Sequence, residues 1–322
     1  MTCDSSALRL EPLDQILLFP VLPETFGALL MRPVNRPSSS LALACSLIAA
    51  TLITLAAPLQ AGPPESLQKN LIFLAPFDGS LDATIGQDKR IHTAENLERK
   101  VVTPGNSRTD VTLAPQAGRY GGALRFATRE SPKVTLFKGV NAGYSASNWS
   151  GTVSFWLKLT PDQDLKPGYC DPIQITDKTW NDASFFVDFD KDLPRVFRLG
   201  VFSNYKSWNP ADTAWEKIEP KDRPMVPVAM PPFSRDRWTH VAWTFNNFNT
   251  ANNSPGSATL YLNGKSQGSL KSPMTFTWDP AKAVIMLGIA YTGDFDELAI
   301  FNRALSDAEI TTVYELPAGL TP

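Results

Sequence analysis

The sequence predicts an all-β protein, a two-sheet antiparallel jelly-roll sandwich with one short C-terminal helix. Three observations lead to this fold: apolar and polar residues alternate, turn residues separate the alternating segments, and one helix start signal stands near the end. Aromatic residues are frequent, with 18 Phe, 8 Trp and 7 Tyr, and they favour strands. About a dozen short strands and one helix fit two packed sheets and exclude a doubly wound α/β sheet.

The alternation is clearest in residues 152–159 and 238–245, where every second side chain is apolar. Residues 258–262 alternate in the same way and lead into Asn263 and Gly264, a pair that predicts a two-residue hairpin turn. The remaining strand candidates share flanking Gly, Pro, Asn or Asp residues; they are 71–75, 123–127, 134–137, 173–176, 184–190, 196–202, 284–289 and 295–301.

The helix is predicted from Ser306, which is followed three residues later by Glu309. In this capping box the Ser hydroxyl and the Glu carboxylate each accept from a backbone N–H that the first helical turn leaves free. The helix should end near Glu315, before Pro317.

The N-terminal part predicts export. Residues 41–57 carry no charge, Arg32 and Arg36 precede them, and a small residue, Ala61, ends the segment. This is the order of a secretory signal peptide over 31–61 that is cut after about Ala61. The alternative is a membrane anchor that stays attached. Residues 1–30 are interpreted as a mis-called N-terminal extension, 62–70 as a linker and 71–316 as the folded domain. We expect a secreted, periplasmic or cell-surface protein that has no contact with a membrane once the signal peptide is removed.

Charge and composition exclude several classes of function. The chain has 30 Lys and Arg against 32 Asp and Glu, a formal net charge of −2, so it lacks the excess positive charge that nucleic-acid binding requires. Two His and three Cys are too few for a His-rich metal centre or a disulfide scaffold.

Six short motifs occur in an order that resembles one family. They are FDG at 77–79, GGALRF at 121–126, GTVSFWL at 151–157, WTHVA at 238–242, LYLNGK at 260–265 and FDELAIFNRALS at 295–306. From about Leu71 to Tyr314 the chain is similar to the laminin-G-like jelly-roll family of the concanavalin A-like lectin/glucanase superfamily. The resemblance implies the sandwich fold. It does not specify the function, because lectins, adhesion modules and glycosidases all have this fold. In this sequence a long loop insertion at about 203–237 departs from the family pattern.

The resemblance also implies one structural calcium ion between the first and last strands. Asp78 and Asp296 are the matching positions, because calcium prefers carboxylate and carbonyl oxygens. The alternative is that Asp78 caps a turn and that Asp296 bonds backbone amides across the sheet.

A carbohydrate site needs an aromatic face for the sugar ring and amide or carboxylate partners for its hydroxyls. Two segments supply both, and their candidate ligand-binding residues are Trp180, Asn181 and Asp182, and Asn204, Tyr205, Trp208 and Asn209. The alternative is that the indoles only cover the sheet beneath a long loop, which is the interpretation we favour for Trp215.

No catalytic residue is predicted. Asp188 and Asp190 fall on one face of a candidate strand, where we expect a solvated outer surface. We therefore expect an exported, non-catalytic module that binds carbohydrate or another extracellular or cell-surface partner. Two alternatives stay open: a polysaccharide-active hydrolase or lyase that uses Asp182, Asp188 and Asp190, and a structural or adhesive protein-interaction module.

Overall fold

The computed structural model describes residues 62–127 and 131–321. Sixteen strands and four short α-helices form in this part of the chain, together with four single-turn 3-10 helices. The strands are β1 (Leu71–Ala75), β2 (His92–Ala94), β3 (Val102–Pro104), β4 (Val111–Ala114), β5 (Ala123–Phe126), β6 (Val134–Lys138), β7 (Trp149–Lys158), β8 (Cys170–Thr176), β9 (Ser184–Phe189), β10 (Phe197–Phe202), β11 (Met225–Val228), β12 (Thr239–Phe248), β13 (Pro255–Leu262), β14 (Lys265–Pro273), β15 (Val284–Ile289) and β16 (Gly293–Phe301). The helices are α1 (Glu65–Gln68), α2 (Pro161–Asp164), α3 (Tyr205–Trp208) and α4 (Asp307–Glu315).

The strands form two antiparallel sheets of eight strands each, which confirms the predicted sandwich. Sheet 1 has the order β14-β13-β12-β7-β16-β5-β4, and β1 also pairs with β16. Sheet 2 has the order β11-β10-β9-β8-β15-β6-β2-β3. Strands distant in sequence are neighbours in both sheets, as in a jelly roll.

The core lies between the sheets, because every second side chain of a strand points to the same face. Phe155 and Trp243 of sheet 1 and Leu199 of sheet 2 are completely buried, which confirms that the alternating aromatics belong to the core. Trp149 contributes a large aromatic contact, with its ring 4.8 Å from Phe245 and 4.9 Å from Trp278 between centroids. Such edge-to-face pairs stabilise the core beyond the area they bury.

The predicted helix α4 covers the outer face of sheet 1. Ser306 Oγ accepts from the backbone N–H of Glu309, and the Glu309 carboxylate accepts from the N–H of Ser306, so the predicted capping box is present. Ile310 and Val313 then pack with Leu71 of β1 in a second apolar cluster.

The predicted hairpin is also present, since Asn263 and Gly264 both have positive φ between β13 and β14. Three further short helices, α1 to α3, accompany the predicted one. The predicted signal peptide and N-terminal extension lie outside the described residues.

The segment at 203–237 lies along the outer face of sheet 2. It is not wholly irregular, because β11 pairs with β10 and extends the sheet. Trp208 and Trp215 from this segment pack against Phe186 and Phe202 of the sheet in a separate apolar cluster. The segment thereby forms one wall of a cavity on this face.

Candidate functional site

The candidate site is a cavity of about 500 Å³ on the outer face of sheet 2, here called the main cavity. Its volume lies in the range of small-molecule sites. The lining residues come from strands β8 to β11 and β15 and from four connecting segments; they are Leu97, Arg99, Tyr169, Asp171, Gln174, Lys178, Thr179, Trp180, Phe186, Asp188, Arg198, Trp215, Glu216, Met225 and Ile289.

The floor of the main cavity consists of polar side chains on three adjacent strands. Gln174 of β8 lies across from Phe186 of β9, and Asp188 of β9 lies across from Arg198 of β10. In each strand, the residues immediately before and after the polar residue point into the core. Because side chains alternate along a strand, the polar side chains lie on the outer face.

Asp188 and Arg198 form a bidentate ion pair, in which Arg198 Nε lies 2.9 Å from Asp188 Oδ1 and Nη2 bonds Oδ2. Arg198 Nη1 also lies 3.1 Å from Asp190 Oδ2, and the guanidinium stacks on Tyr169 at 5.2 Å from the ring centroid. The expectation of a solvated surface at Asp188 is therefore wrong: the residue is 3 % exposed, because the strand places it beside Arg198 and beneath the cavity walls.

Asp171 and Gln174 are two lining residues of the main cavity whose hydrogen-bonding capacity is unused. Burial, and then the charge of Asp188, raise the pKa of the Asp171 carboxyl well above its ordinary value, while Arg198 opposes the change. Gln174 is 5 % exposed. Within the described residues, neither side chain has a hydrogen-bond or ion-pair partner, so both can bond a ligand.

The rim supplies an aromatic surface and is held by two arginines. Trp180 is 40 % exposed, and its ring meets that of Trp215 edge-on at 5.3 Å. Arg99 donates to the Lys178 carbonyl at 2.7 Å and so fixes the loop before Trp180. Arg195 donates to the Lys166 carbonyl at 2.6 Å and fixes the loop that carries Tyr169.

The predicted sugar-binding residues gather beside this site. Five of them line a second cavity of about 230 Å³ whose wall also includes Trp215: Trp180, Asn181, Tyr205, Trp208 and Asn209. Asp182 and Asn204 do not line it. Asp182 Oδ1 accepts from the Tyr205 N–H at 2.9 Å, and Asn204 bonds Thr277.

Most polar groups of this predicted set already bond the protein. The Trp208 indole N–H donates to the Asn181 carbonyl at 2.8 Å, and the Tyr205 hydroxyl donates to Asp212 at 2.6 Å. The amide of Asn209 bonds both Tyr205 and Thr213. Of the two aromatic segments, only Trp180 also lines the main cavity.

The carboxylates of the enzymatic alternative do not converge. Of Asp182, Asp188 and Asp190, only Asp188 lines the main cavity, and both its oxygens bond Arg198. His240 lies in the interior with its Nε2 atom 2.8 Å from Ser154 Oγ, and burial lowers its pKa to about 3. A neutral, enclosed imidazole has a structural role rather than that of a general base.

The carboxylates predicted to hold calcium bond the backbone. Asp296 Oδ2 accepts from the N–H of Arg119 at 2.7 Å and of Tyr120 at 3.2 Å, and Asp78 Oδ1 accepts from Gly122 at 2.8 Å. In the part of the chain that is described, no three His, Cys, Asp or Glu side chains are arranged to hold a metal. Calcium takes six to eight oxygens, and backbone carbonyls can supply part of them, so structural calcium stays a prediction.

Sequence reasoning missed Asp171, Gln174 and Arg198. The available signal was a polar residue at the outward position of three successive, otherwise apolar strands. The pattern can be interpreted only when the strand order is known, because that order places β8, β9 and β10 side by side.

No helix among the described residues has the length and apolar character needed to cross a membrane.

Comparison with known proteins agrees with this architecture. No curated protein matches the chain. Domain 4 of a GH43 extracellular arabinanase from Geobacillus stearothermophilus is 18 % identical, with a TM-score of 0.47 over 76 % of this chain and 97 % of that one. The receptor binding domain of a botulinum neurotoxin C/D mosaic serotype is 15 % identical, with a TM-score of 0.50 over 77 % of this chain.

The chain spans about half the length of that toxin domain, 51 %, and the likeness concerns the fold alone. A family model of the laminin G type, described as concanavalin A-like lectin/glucanases superfamily, matches residues 139–311. These residues include β7 to β16 and nearly the whole lining of the main cavity. The match covers more than half of the sequence, and the chain therefore belongs to this laminin G-type family of the concanavalin A-like lectin/glucanases superfamily.

Proposed function

We propose that the protein is an exported, non-catalytic carbohydrate-binding module whose ligand occupies the main cavity. The observation that carries the proposal is the exposed indole of Trp180 at the rim of a cavity that is also lined by Asp171 and Gln174, two polar side chains without a partner among the described residues. Export rests on the signal-peptide pattern of residues 31–61.

The chemistry of this lining suits a sugar. The apolar face of a pyranose stacks on an aromatic ring, and its hydroxyls both donate and accept hydrogen bonds. The Gln174 amide offers two donors and an acceptor, and the Asp171 carboxyl offers two acceptor oxygens. Both residues project from strands rather than from loops, so the site is rigid before the ligand arrives, and rigidity lowers the entropic cost of binding.

The arrangement of the carboxylates favours binding over hydrolysis. A glycosidase of the usual kind needs one carboxyl to protonate the leaving oxygen and a second, free carboxylate as base or nucleophile. Asp188 is the carboxylate beside Asp171, and Arg198 occupies both of its oxygens.

A glycan array and calorimetric titration test the proposal. Wild type should bind a glycan, and Trp180→Ala should lose at least about tenfold in affinity, since an aromatic stacking contact contributes about 0.5–1.5 kcal/mol beyond the buried area. Gln174→Leu should lose a similar amount. Trp208→Ala should lose less affinity than Trp180→Ala, because the Trp208 indole N–H already bonds the protein.

Trp238→Ala is the matched control, because Trp238 is a partly buried indole that lines neither cavity. Thermal melting of every variant separates lost binding from lost folding. Release of reducing sugar from a bound glycan would contradict the non-catalytic assignment. Binding to no glycan, combined with capture of a cell-surface protein, would favour the adhesive module instead.

A further inference from the structure

We infer that the ligand is a neutral oligosaccharide of at least two sugar units, which spans the main cavity and the second cavity across a shared wall of tryptophans. This inference rests on the proposed function and adds the class of ligand to it. Trp180 and Trp215 line both cavities, so the two spaces lie on either side of the same pair of rings.

The sizes of the cavities indicate a chain rather than a single sugar. The main cavity, at about 500 Å³, is of ordinary ligand size, whereas the second, at about 230 Å³, falls below the usual range for an independent site. The second cavity adjoins the main cavity across an exposed indole. It therefore suits the next sugar unit of a ligand whose first unit occupies the main cavity.

The second cavity retains unused polar atoms despite its internal hydrogen bonds. Asn181 accepts from Thr179 through Oδ1, and Asp212 accepts from Tyr205 through Oδ1. Within the described residues, Asn181 Nδ2 and Asp212 Oδ2 have no hydrogen-bond partner. Asn181 and Asp212 both line the second cavity, so this lining offers one donor and one acceptor for the hydroxyls of one sugar.

The charges favour a neutral glycan over an acidic one. The main cavity is lined by three basic side chains, Arg99, Lys178 and Arg198, and by as many acidic ones, Asp171, Asp188 and Glu216. The guanidiniums of Arg99 and Arg198 already bond protein oxygens. The charged residue that lines the second cavity is Asp212, which is acidic. The two linings therefore have no excess of positive charge to bind a uronate or a sulfate.

The test is calorimetric titration of the full chain with mono-, di- and trisaccharides of β-1,4-linked xylose, glucose and mannose, and with trigalacturonic acid. A neutral trisaccharide should bind at least about tenfold more tightly than its monosaccharide, because two added hydrogen bonds account for that ratio. Ala214→Phe fills the second cavity from its exposed lining and should abolish the gain without changing monosaccharide affinity. Asn181→Ala should reduce the gain.

Ala211→Phe is the matched control, since Ala211 is an exposed alanine of the same loop and lines neither cavity. Equal affinity for monosaccharide and trisaccharide, unchanged by Ala214→Phe, would overturn the two-cavity inference and leave the proposed function standing. Tighter binding of trigalacturonic acid than of every neutral trisaccharide would overturn the neutral assignment. Binding of none of these sugars, and of none on the glycan array, would overturn the proposed function itself.

Discussion

Removing the Asp188 carboxylate should destabilise the protein markedly, because it would leave a buried guanidinium without its main partner. The side chains of Asp188 and Arg198 are only 5 % and 7 % exposed. Breaking a buried pair on one side costs about 3–5 kcal/mol in unfolding free energy. Asp190 still lies 3.1 Å from Arg198, so we expect Asp188→Asn to lose about 3 kcal/mol, at the lower end of that range.

Urea denaturation of wild type, Asp188→Asn and Asp188→Leu/Arg198→Met measures this loss. The double variant removes both charges and leaves apolar groups, so it should recover at least half of the stability that the single variant loses. Glu65→Gln is the control, because its pair with Lys69 is 79 % and 70 % exposed and should contribute less than about 1 kcal/mol. A loss at Asp188 no larger than the loss at Glu65 would refute the reasoning that burial sets the cost.

Three further outcomes are expected. Ser306→Ala should lower the unfolding free energy by about 1 kcal/mol, because the Glu309 N–H loses its cap, and Ser306→Asp should restore it in the same urea assay. The pKa of His240 is about 3 when folded against about 6.5 when unfolded, so acidification favours the unfolded chain, and wild type should lose about 2 kcal/mol more than His240→Asn between pH 7 and pH 5. EDTA should leave the melting temperature unchanged, since Asp78 and Asp296 bond backbone amides, and a drop with EDTA that calcium reverses would support the calcium prediction instead.

The fold was predictable from the sequence because its determinants are local. Alternation over a few residues identified strands such as β7 and β12, and the spacing of Ser306 and Glu309 identified α4. Asn263 and Gly264 likewise specify their hairpin without reference to the rest of the chain. Each of these signals lies within a dozen residues, so it can be recognised without knowing which distant segments pack together.

The site was harder to predict because it depends on which strands are neighbours. Trp180 and Trp208 stood out in the sequence as aromatics beside amides, and the structure does bring them to one cavity. Residue type could not show that the Trp208 N–H and the Asn209 amide are used within the loop itself, since those partners follow from how the chain turns back at Asn181 and Thr213. The same residue types stabilise a long loop and bind a ligand, so the sequence alone does not distinguish the two roles.

The strand residues Gln174 and Asp171 are better binding candidates than the residues of the loop. A loop side chain whose hydrogen bonds hold the loop cannot turn to a ligand without loosening the loop. Among the described residues, the side chains of Gln174 and Asp171 make no hydrogen bond that holds the fold. The two apolar residues beside Gln174 are Ile173 and Ile175, and they anchor β8 in the core. Gln174 and Asp171 can therefore be substituted at little cost to the sandwich. Substitutions there should change affinity far more than stability, in contrast to substitutions at Asn209.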